Sequence, residues 1–217
     1  MMQAAHFLDK KTIAELTARM YLDTGAVRFM SEKPFIFTSG WASPVYNDSR
    51  WLISFPDVRS TMMDFAVHTI TRDIGRDQID AVAGGETAGI AFAAWVADRL
   101  NVPMQYVRKK PKGFGRGAQI EGQLIPGQRV LLVEDLATDG KCEHCFVLFF
   151  YDIYPQGKKI LGDLGVTLHA LTTWRDVLAV AKASGQFEPK MLAEVEKFIH
   201  DPAGWSKAHG GVAEAAE

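Results

Sequence analysis

The sequence predicts an α/β protein: a central, mostly parallel sheet flanked by helices, with a small N-terminal hood. Two observations carry this. Between residues 80 and 107, a short apolar run, a glycine turn, an alanine-rich helical stretch and a second apolar run follow in βαβ order. Further on, Val130-Leu-Leu-Val133 is apolar throughout, as a parallel strand covered on both faces must be. It delivers two adjacent carboxylates, Glu134 and Asp135, at its carboxyl end.

Residues 12–30 are expected to form an amphipathic helix, with Ile13, Leu16 and Met20 at helical spacing and Thr12 as its cap. Residues 34–55 carry aromatic and β-branched runs broken by Ser-Gly and Ser-Pro, which read as hairpin-like strands. A second helix runs from Pro56 to about Ile74, with Val58, Met62, Phe65 and Ile70 as its buried stripe. The βαβ unit follows: a strand at 80–83, a turn Gly84-Gly85-Glu86-Thr87, a helix from Ala88 to Leu100, and a strand at 104–107. Residues 108–122 are basic, glycine-rich and poor in aliphatic side chains, so a long mobile loop is expected there. Later strands are predicted at 130–133, 145–151 and 166–170, and helices at 176–184 and 190–200. The tail after Gly204 is expected to be disordered. In outline, residues 1–55 form the N-terminal helix and hood, 56–175 the α/β core, and 176–217 the C-terminal helices and tail.

Composition narrows the function. Of 217 residues, 24 are basic and 26 acidic, a formal net charge of -2 that points to neither nucleic acid nor membrane surface. No apolar run reaches the roughly 18 residues that span a bilayer. The N-terminal stretch places charges inside what would be a leader's apolar core, so a cytoplasmic protein is expected. Cys142 and Cys145 form a Cys-x-x-Cys pair, but a zinc site needs a second such pair and Cys145 opens an apolar run, so it reads as buried. His6, His68, His144 and His169 lack an acid at catalytic spacing and read as structural.

The chemistry concentrates in two segments. In Val130-Leu-Leu-Val-Glu-Asp-Leu-Ala-Thr-Asp-Gly140, the loop amides and the Thr138 hydroxyl can cradle a phosphate beyond a strand's carboxyl end. Glu134 and Asp135 would be repelled by that phosphate, so they suit ribose hydroxyls or a cation, or else simply cap a neighbouring element. Arg108, Lys109, Lys110, Lys112 and Arg116 set five cations on one stretch, interleaved with Gly113, Gly115 and Gly117. A bare charged loop would carry the same residues, but its place after a βαβ strand suits a diphosphate whose charge grows as it leaves a sugar carbon.

In company these segments resemble the orotate phosphoribosyltransferase branch of the type I phosphoribosyltransferase family. Glu134-Asp135-Leu136-Ala137-Thr138-Asp139-Gly140 looks like the phosphoribosyl pyrophosphate motif. Residues 107–116 with Gln119-Ile-Glu-Gly122 look like the catalytic loop. Phe37-Thr-Ser-Gly40 with Ser43-Pro-Val-Tyr46 is similar to the hood, and Gly84-Gly85-Glu86-Thr87-Ala88-Gly89 matches the pyrophosphate loop. The resemblance implies transfer of the phosphoribosyl group from phosphoribosyl pyrophosphate (PRPP) to orotate, in pyrimidine biosynthesis. It implies Lys112 and Asp135 as catalytic, with Arg108, Lys109, Lys112, Gly84, Gly85 and residues 134–140 on PRPP. Thr138, Phe35 and Phe37 would meet orotate, although a strand face packed on the core would also account for the two phenylalanines. It further implies Mg2+ carried by substrate phosphates rather than by a protein cage, and a homodimer sharing the 108–117 loop across its interface. A phosphoribosyltransferase for another base, or an inactive ribose-phosphate-binding regulator, would keep the same acidic motif.

The chain departs from the family's pattern in places. Thr38, Ala88 and Phe114 stand where members carry lysine, lysine and histidine. No arginine follows the strand ending near Tyr151, and Lys158 or Lys159 is the nearest cation for an orotate carboxylate. With the strand at 130 carried on to residue 136, only residues 137–144 separate it from the strand predicted at 145–151, too few for a crossover helix. Either those strands are not parallel neighbours, or a segment after Gly140 is missing.

Overall fold

The computed structural model describes residues 8–30, 32–111, 118–123, 125–134 and 143–213. Helix α1 (Lys10–Asp23) starts at Asp9, whose carboxylate accepts from the Thr12 amide at 3.0 Å. The cap is thus Asp9, not Thr12. The helix ends seven residues earlier than the periodicity suggests because Gly25 turns the chain at φ +72°. Its buried stripe is Ile13, Ala14, Thr17, Ala18 and Tyr21, while Leu16 faces out. The hood follows: β1 (Val27–Phe29), β2 (Phe35–Ile36), β3 (Ala42–Ser43) and β4 (Val45–Asn47), paired β1 with β4 and β2 with β3, all antiparallel. A 3-10 turn at Ser49–Ser54 leads to α2 (Pro56–Asp73), which buries Met62, Phe65 and Ile70 as expected, with Val58 packed at the margin of the core.

The sheet is built from β5 (Ala81–Gly85), β6 (Met104–Val107), β7 (Ile120–Glu121), β8 (Val130–Glu134), β9 (His144–Phe150) and β10 (Thr167–Thr173). Helix α3 (Ala88–Leu100) joins β5 to β6, and α4 (Pro155–Asp163) joins β9 to β10. Strand order is β10-β9-β8-β5-β6-β7, parallel except for β7 at the edge. The basic segment is therefore not loop throughout: Ile120 and Glu121 return to pair with Val107 and Tyr106. Helices α5 (Trp174–Ser184), α6 (Pro189–His200) and α7 (Pro202–Ala208) complete the chain.

One open alternative is closed and one expectation is corrected. Strands β8 and β9 are parallel neighbours, with Leu131 opposite His144 and Glu134 opposite Val147, although only residues 135–143 connect them. The stretch after Gly204 is also ordered as far as residue 213. Trp205 is buried, and Ser206 Oγ accepts from the Ala42 amide at 2.9 Å and donates to the Val212 carbonyl at 2.6 Å.

Each sheet face has its own apolar cluster. On one, Leu131, Val133, Phe146 and Leu148 pack beneath α2 and α3, and removing any one large side chain from such a core costs roughly 2–5 kcal/mol. On the other, Cys145 and Val147 meet Leu161 of α4. The right-handed crossover rule explains the split: β5 to β6 and β9 to β10 step across the sheet in opposite directions, so their helices fall on opposite faces. At the start of β8, Arg129 clamps Asp80 through Nε at 3.0 Å and Nη2 at 2.9 Å, tying it to the strand β5 beside it. No helix among the described residues is long and apolar enough to cross a membrane.

Candidate active site

The strand order reverses between β5 and β8, since β6 lies on one side of β5 and β9 on the far side of β8. Open α/β sheets bind ligands at such a point, beyond the carboxyl ends of the strands. Here those ends are Gly84-Gly85-Glu86 and Glu134. The glycines are there for close approach. A methyl group on Gly84 would meet the Gly89 carbonyl and Ala93 Cβ, at 2.5 and 2.7 Å. On Gly85 it would collide with Glu134 Oε1, and on Gly89 with Glu134 Oε2 and the Val133 carbonyl. Side-chain-free backbone thus lets the first turn of α3 press onto β8, with the Glu134 carboxylate laid across the glycine turn. Glu134 is only 9% exposed. The partial positive charge at the N-terminus of α3 favours a carboxylate there.

The feet of the basic segment are tied to the same corner. The Arg108 amide donates to the Gln119 carbonyl at 2.8 Å, and Gln119 Nε2 returns to the Arg108 carbonyl at 3.1 Å. The Lys109 amide donates to Glu86 Oε2 at 2.9 Å, and the Glu86 amide to the Val107 carbonyl at 2.8 Å. Arg108 and Lys109 therefore stand beside the Gly84-Gly85 turn. Arg108 is engaged, its guanidinium lying 3.7 Å from Glu121. Sequence reasoning missed Glu86, which hooks the segment to the glycine turn; an acid directly after paired glycines is its only local sign. Lys112, Asp135, Leu136, Ala137, Thr138, Asp139 and Gly140 lie outside the described residues.

The hood gathers aromatic rings. Phe35 and Phe37 lie 5.6 and 6.1 Å from Tyr46 between ring centroids, and the Arg28 guanidinium sits over the Tyr46 ring at 5.5 Å. Tyr46 is thus the hub of the pair singled out from sequence, and Arg28 a cation that spacing alone did not mark. Trp41, in the turn closed by the Phe37 amide on the Trp41 carbonyl, packs edge-on to Tyr154 at 5.5 Å. Tyr154 follows the carboxyl end of β9, so the hood turn stands on the same side of the sheet as the glycine corner. Burial pushes the Tyr154 phenol up to about 12. Trp51, in contrast, is 48% exposed.

One histidine departs from expectation. His169 does have an acid: its Nδ1 lies 3.6 Å from Asp73 Oδ2, while its Nε2 is 3.2 Å from His144 Nδ1. Asp73 comes from the end of α2, far away in sequence, which is why spacing did not reveal it. The cluster sits at the amino end of β9, opposite the glycine corner, so its role is structural. Burial lowers the His169 pKa, the His144 charge lowers it further, and Asp73 opposes both. Below the ordinary histidine value of about 6.5 the unfolded chain takes up this proton before the folded one does. Stability should therefore fall as pH drops from about 6.5, with no effect from this group above it. Asp73, lowered chiefly by its hydrogen bond from Arg72, adds a second loss below about 3.8. Urea midpoints between pH 7.5 and 5.5 should decline in the parent chain and decline less in His169→Gln. Equal slopes in the two would contradict this assignment.

Comparisons with known proteins agree with the geometry. A phosphoribosyl transferase domain model matches residues 62–142. The chain is 53% identical over 216 positions to an orotate phosphoribosyltransferase of Roseobacter denitrificans, covering 93% of this chain and 96% of that one. Orotate phosphoribosyltransferases of a Ruegeria species and of Sinorhizobium fredii are 53% and 50% identical, over 91% and 95% of this chain and 94% and 95% of those. Among solved structures, the orotate phosphoribosyltransferase of Aeropyrum pernix superposes with a TM-score of 0.61 at 28% identity, over 76% of this chain and 99% of that one. The Leishmania donovani UMP synthase shares the fold at 24% identity and a TM-score of 0.69, with 85% of this chain spanning 42% of that longer one.

Proposed function

The chain belongs to the orotate phosphoribosyltransferase family, and from that premise we propose how its site divides the work. The reaction moves the phosphoribosyl group of PRPP to orotate, giving orotidine monophosphate and pyrophosphate for pyrimidine biosynthesis. The bond from ribose C1′ to the pyrophosphate oxygen breaks as the bond to the orotate nitrogen forms. Positive charge builds on the ribose and negative charge on the departing oxygens.

The observation that carries the assignment is the Glu134 carboxylate lying across Gly85 and Gly89 at the switch point. Glu134 and its neighbour Asp135 accept from the ribose hydroxyls. Residues 136–140, with the Thr138 hydroxyl, hold the 5′-phosphate through backbone amides. The Gly84-Gly85 turn takes the diphosphate, and Arg108, Lys109 and Lys112 meet its charge. Thr138, with Phe35 and Phe37 around Tyr46, encloses orotate. Magnesium suits this set. The donors at the corner are carboxylate oxygens, Glu86 and Glu134, appropriate to a hard cation held largely by substrate phosphates. When bound, it neutralises diphosphate charge. A homodimer exchanging the 108–117 segment would complete each site, and sedimentation velocity reads that state. A cytoplasmic compartment is in keeping with a chain that carries only two cysteines.

The test is loss of orotate absorbance with PRPP and magnesium, beside adenine, hypoxanthine and uracil controls. Turnover of orotate alone is expected, and it should collapse when a chelator removes the metal. Turnover of a purine instead, or tight PRPP binding with no turnover of any base, would overturn the proposal.

A further inference from the structure

We infer that Arg28 is the cation that receives the carboxylate of the incoming base and holds it beside the Tyr46 ring. This rests on the function proposed above and deepens it, because it names what selects an acidic pyrimidine at that site.

The β1–β4 ribbon has two faces of opposite character. Val27, Phe29 and Val45 turn into the core, where Phe29 meets the Phe187 ring edge-on at 4.9 Å between centroids. Successive side chains of a strand alternate between faces, so Arg28 points the other way, as does Tyr46 directly opposite it. There the Arg28 guanidinium lies 5.5 Å from the centre of the Tyr46 ring, and Phe35 and Phe37 close on the same ring. None of these three rings joins the hydrophobic core; each is half-buried, and they pack on one another. Aromatic side chains held off the core in this way form a seat for a flat ligand. Trp41 against Tyr154 sets that seat over the carboxyl ends of the strands, the side on which the glycine corner lies.

The chemistry of the seat selects the ligand. The face of an aromatic ring carries partial negative charge, so it accepts a neutral pyrimidine ring but repels a carboxylate attached to one. A guanidinium over the same ring reverses that preference. It stacks on aromatic faces and offers a carboxylate two parallel N–H donors.

Arg28 is available for this task. It is exposed, and among the described residues no carboxylate pairs with it. Neighbouring arginines are committed elsewhere: Arg50 lies 3.5 Å from Asp48, while Arg59 donates to the Ile53 carbonyl at 2.8 Å and covers Trp95. Just past β9 the chain presents an acid, Asp152. Lys158 and Lys159 fall inside α4, which leads back towards the amino ends of the strands.

The test compares orotate with its neutral carboxamide, which has the same shape without the charge. Arg28→Ala should raise the KM for orotate by about tenfold and leave the KM for PRPP and the melting temperature unchanged. The inhibition constant of the carboxamide should move by less than about twofold, since its ring still stacks on Tyr46. Arg28→Lys should recover part of the loss, the charge returning without the planar fork. A merely structural Arg28, one that only steadies Tyr46, would weaken orotate and carboxamide alike, and that result would overturn the inference. So would an unchanged KM for orotate in Arg28→Ala. If the parent chain turns over orotate and either result appears, the inference alone falls. If the parent turns over another base and not orotate, the proposed function falls and takes the inference with it.

Discussion

Gly85→Ala should lower kcat/KM for PRPP by roughly ten- to a hundredfold while leaving the melting temperature almost unchanged. The added methyl would land on Glu134 Oε1, and its three nearest atoms all belong to the Glu134 carboxyl. The side chain can swing away, but not without abandoning its place across the glycine turn. The size follows from one hydrogen bond to a charged group, about 1.5–3 kcal/mol, if Glu134 holds a ribose hydroxyl. Gly89→Ala supplies the contrast. There the methyl also meets the Val133 carbonyl at 2.7 Å, and a strand backbone yields less easily than a carboxylate. That variant should lose activity and also about 1–3 kcal/mol of stability. A Gly85→Ala, Glu134→Ala double variant should be no worse than Glu134→Ala alone, because both changes remove the same contact. Full activity in Gly85→Ala would mean that Glu134 does not touch the ribose.

What the sequence made legible, and what it hid, follows from how local each cause is. The stretch from Ala81 to Val107 was readable because every signal in it is short-range: a β-rich apolar run, a glycine turn, alanines, and Asn101-Val-Pro as a stop. The place of Glu134 at the end of β8 was readable for the same reason, since an apolar strand points to what lies at its end. Helix α4 was not. Gly157 and Gly162 depress its propensity, and it buries too little for a clear apolar stripe. The C-terminal segment looked like tail because its order depends on the Ser206 bridge to Ala42, 164 residues away. The Asp73–His169 contact is likewise invisible to any local window. At the active corner the residue types pointed to a diphosphate, but the burial of Glu134 against Gly85 and Gly89 needed the sheet order, which brings β8 beside β5.

Lys112→Ala should reduce kcat by about a hundredfold or more while changing orotate affinity little. Lys112 itself lies outside the described residues, but the ends of its segment bound its reach. Those ends are paired as Val107 with Ile120 and Tyr106 with Glu121, and the Lys109 amide is held by Glu86 beside the glycine turn. A cation three residues beyond Lys109 is within reach of a diphosphate seated on Gly84 and Gly85, since extended chain covers roughly 3.3 Å per residue. Arg108 is partly neutralised by Glu121, which shifts the demand for positive charge onto the lysines that follow. That demand is greatest as the leaving group gains charge, so losing the cation should affect turnover more than ground-state binding. Lys112→Arg should recover part of the rate, because the charge returns with a different head group. Burst kinetics separate the chemical step from product release and read the effect directly. If Lys112→Ala instead raised KM for orotate and left the chemical step intact, the cation would belong to base binding and not to pyrophosphate departure.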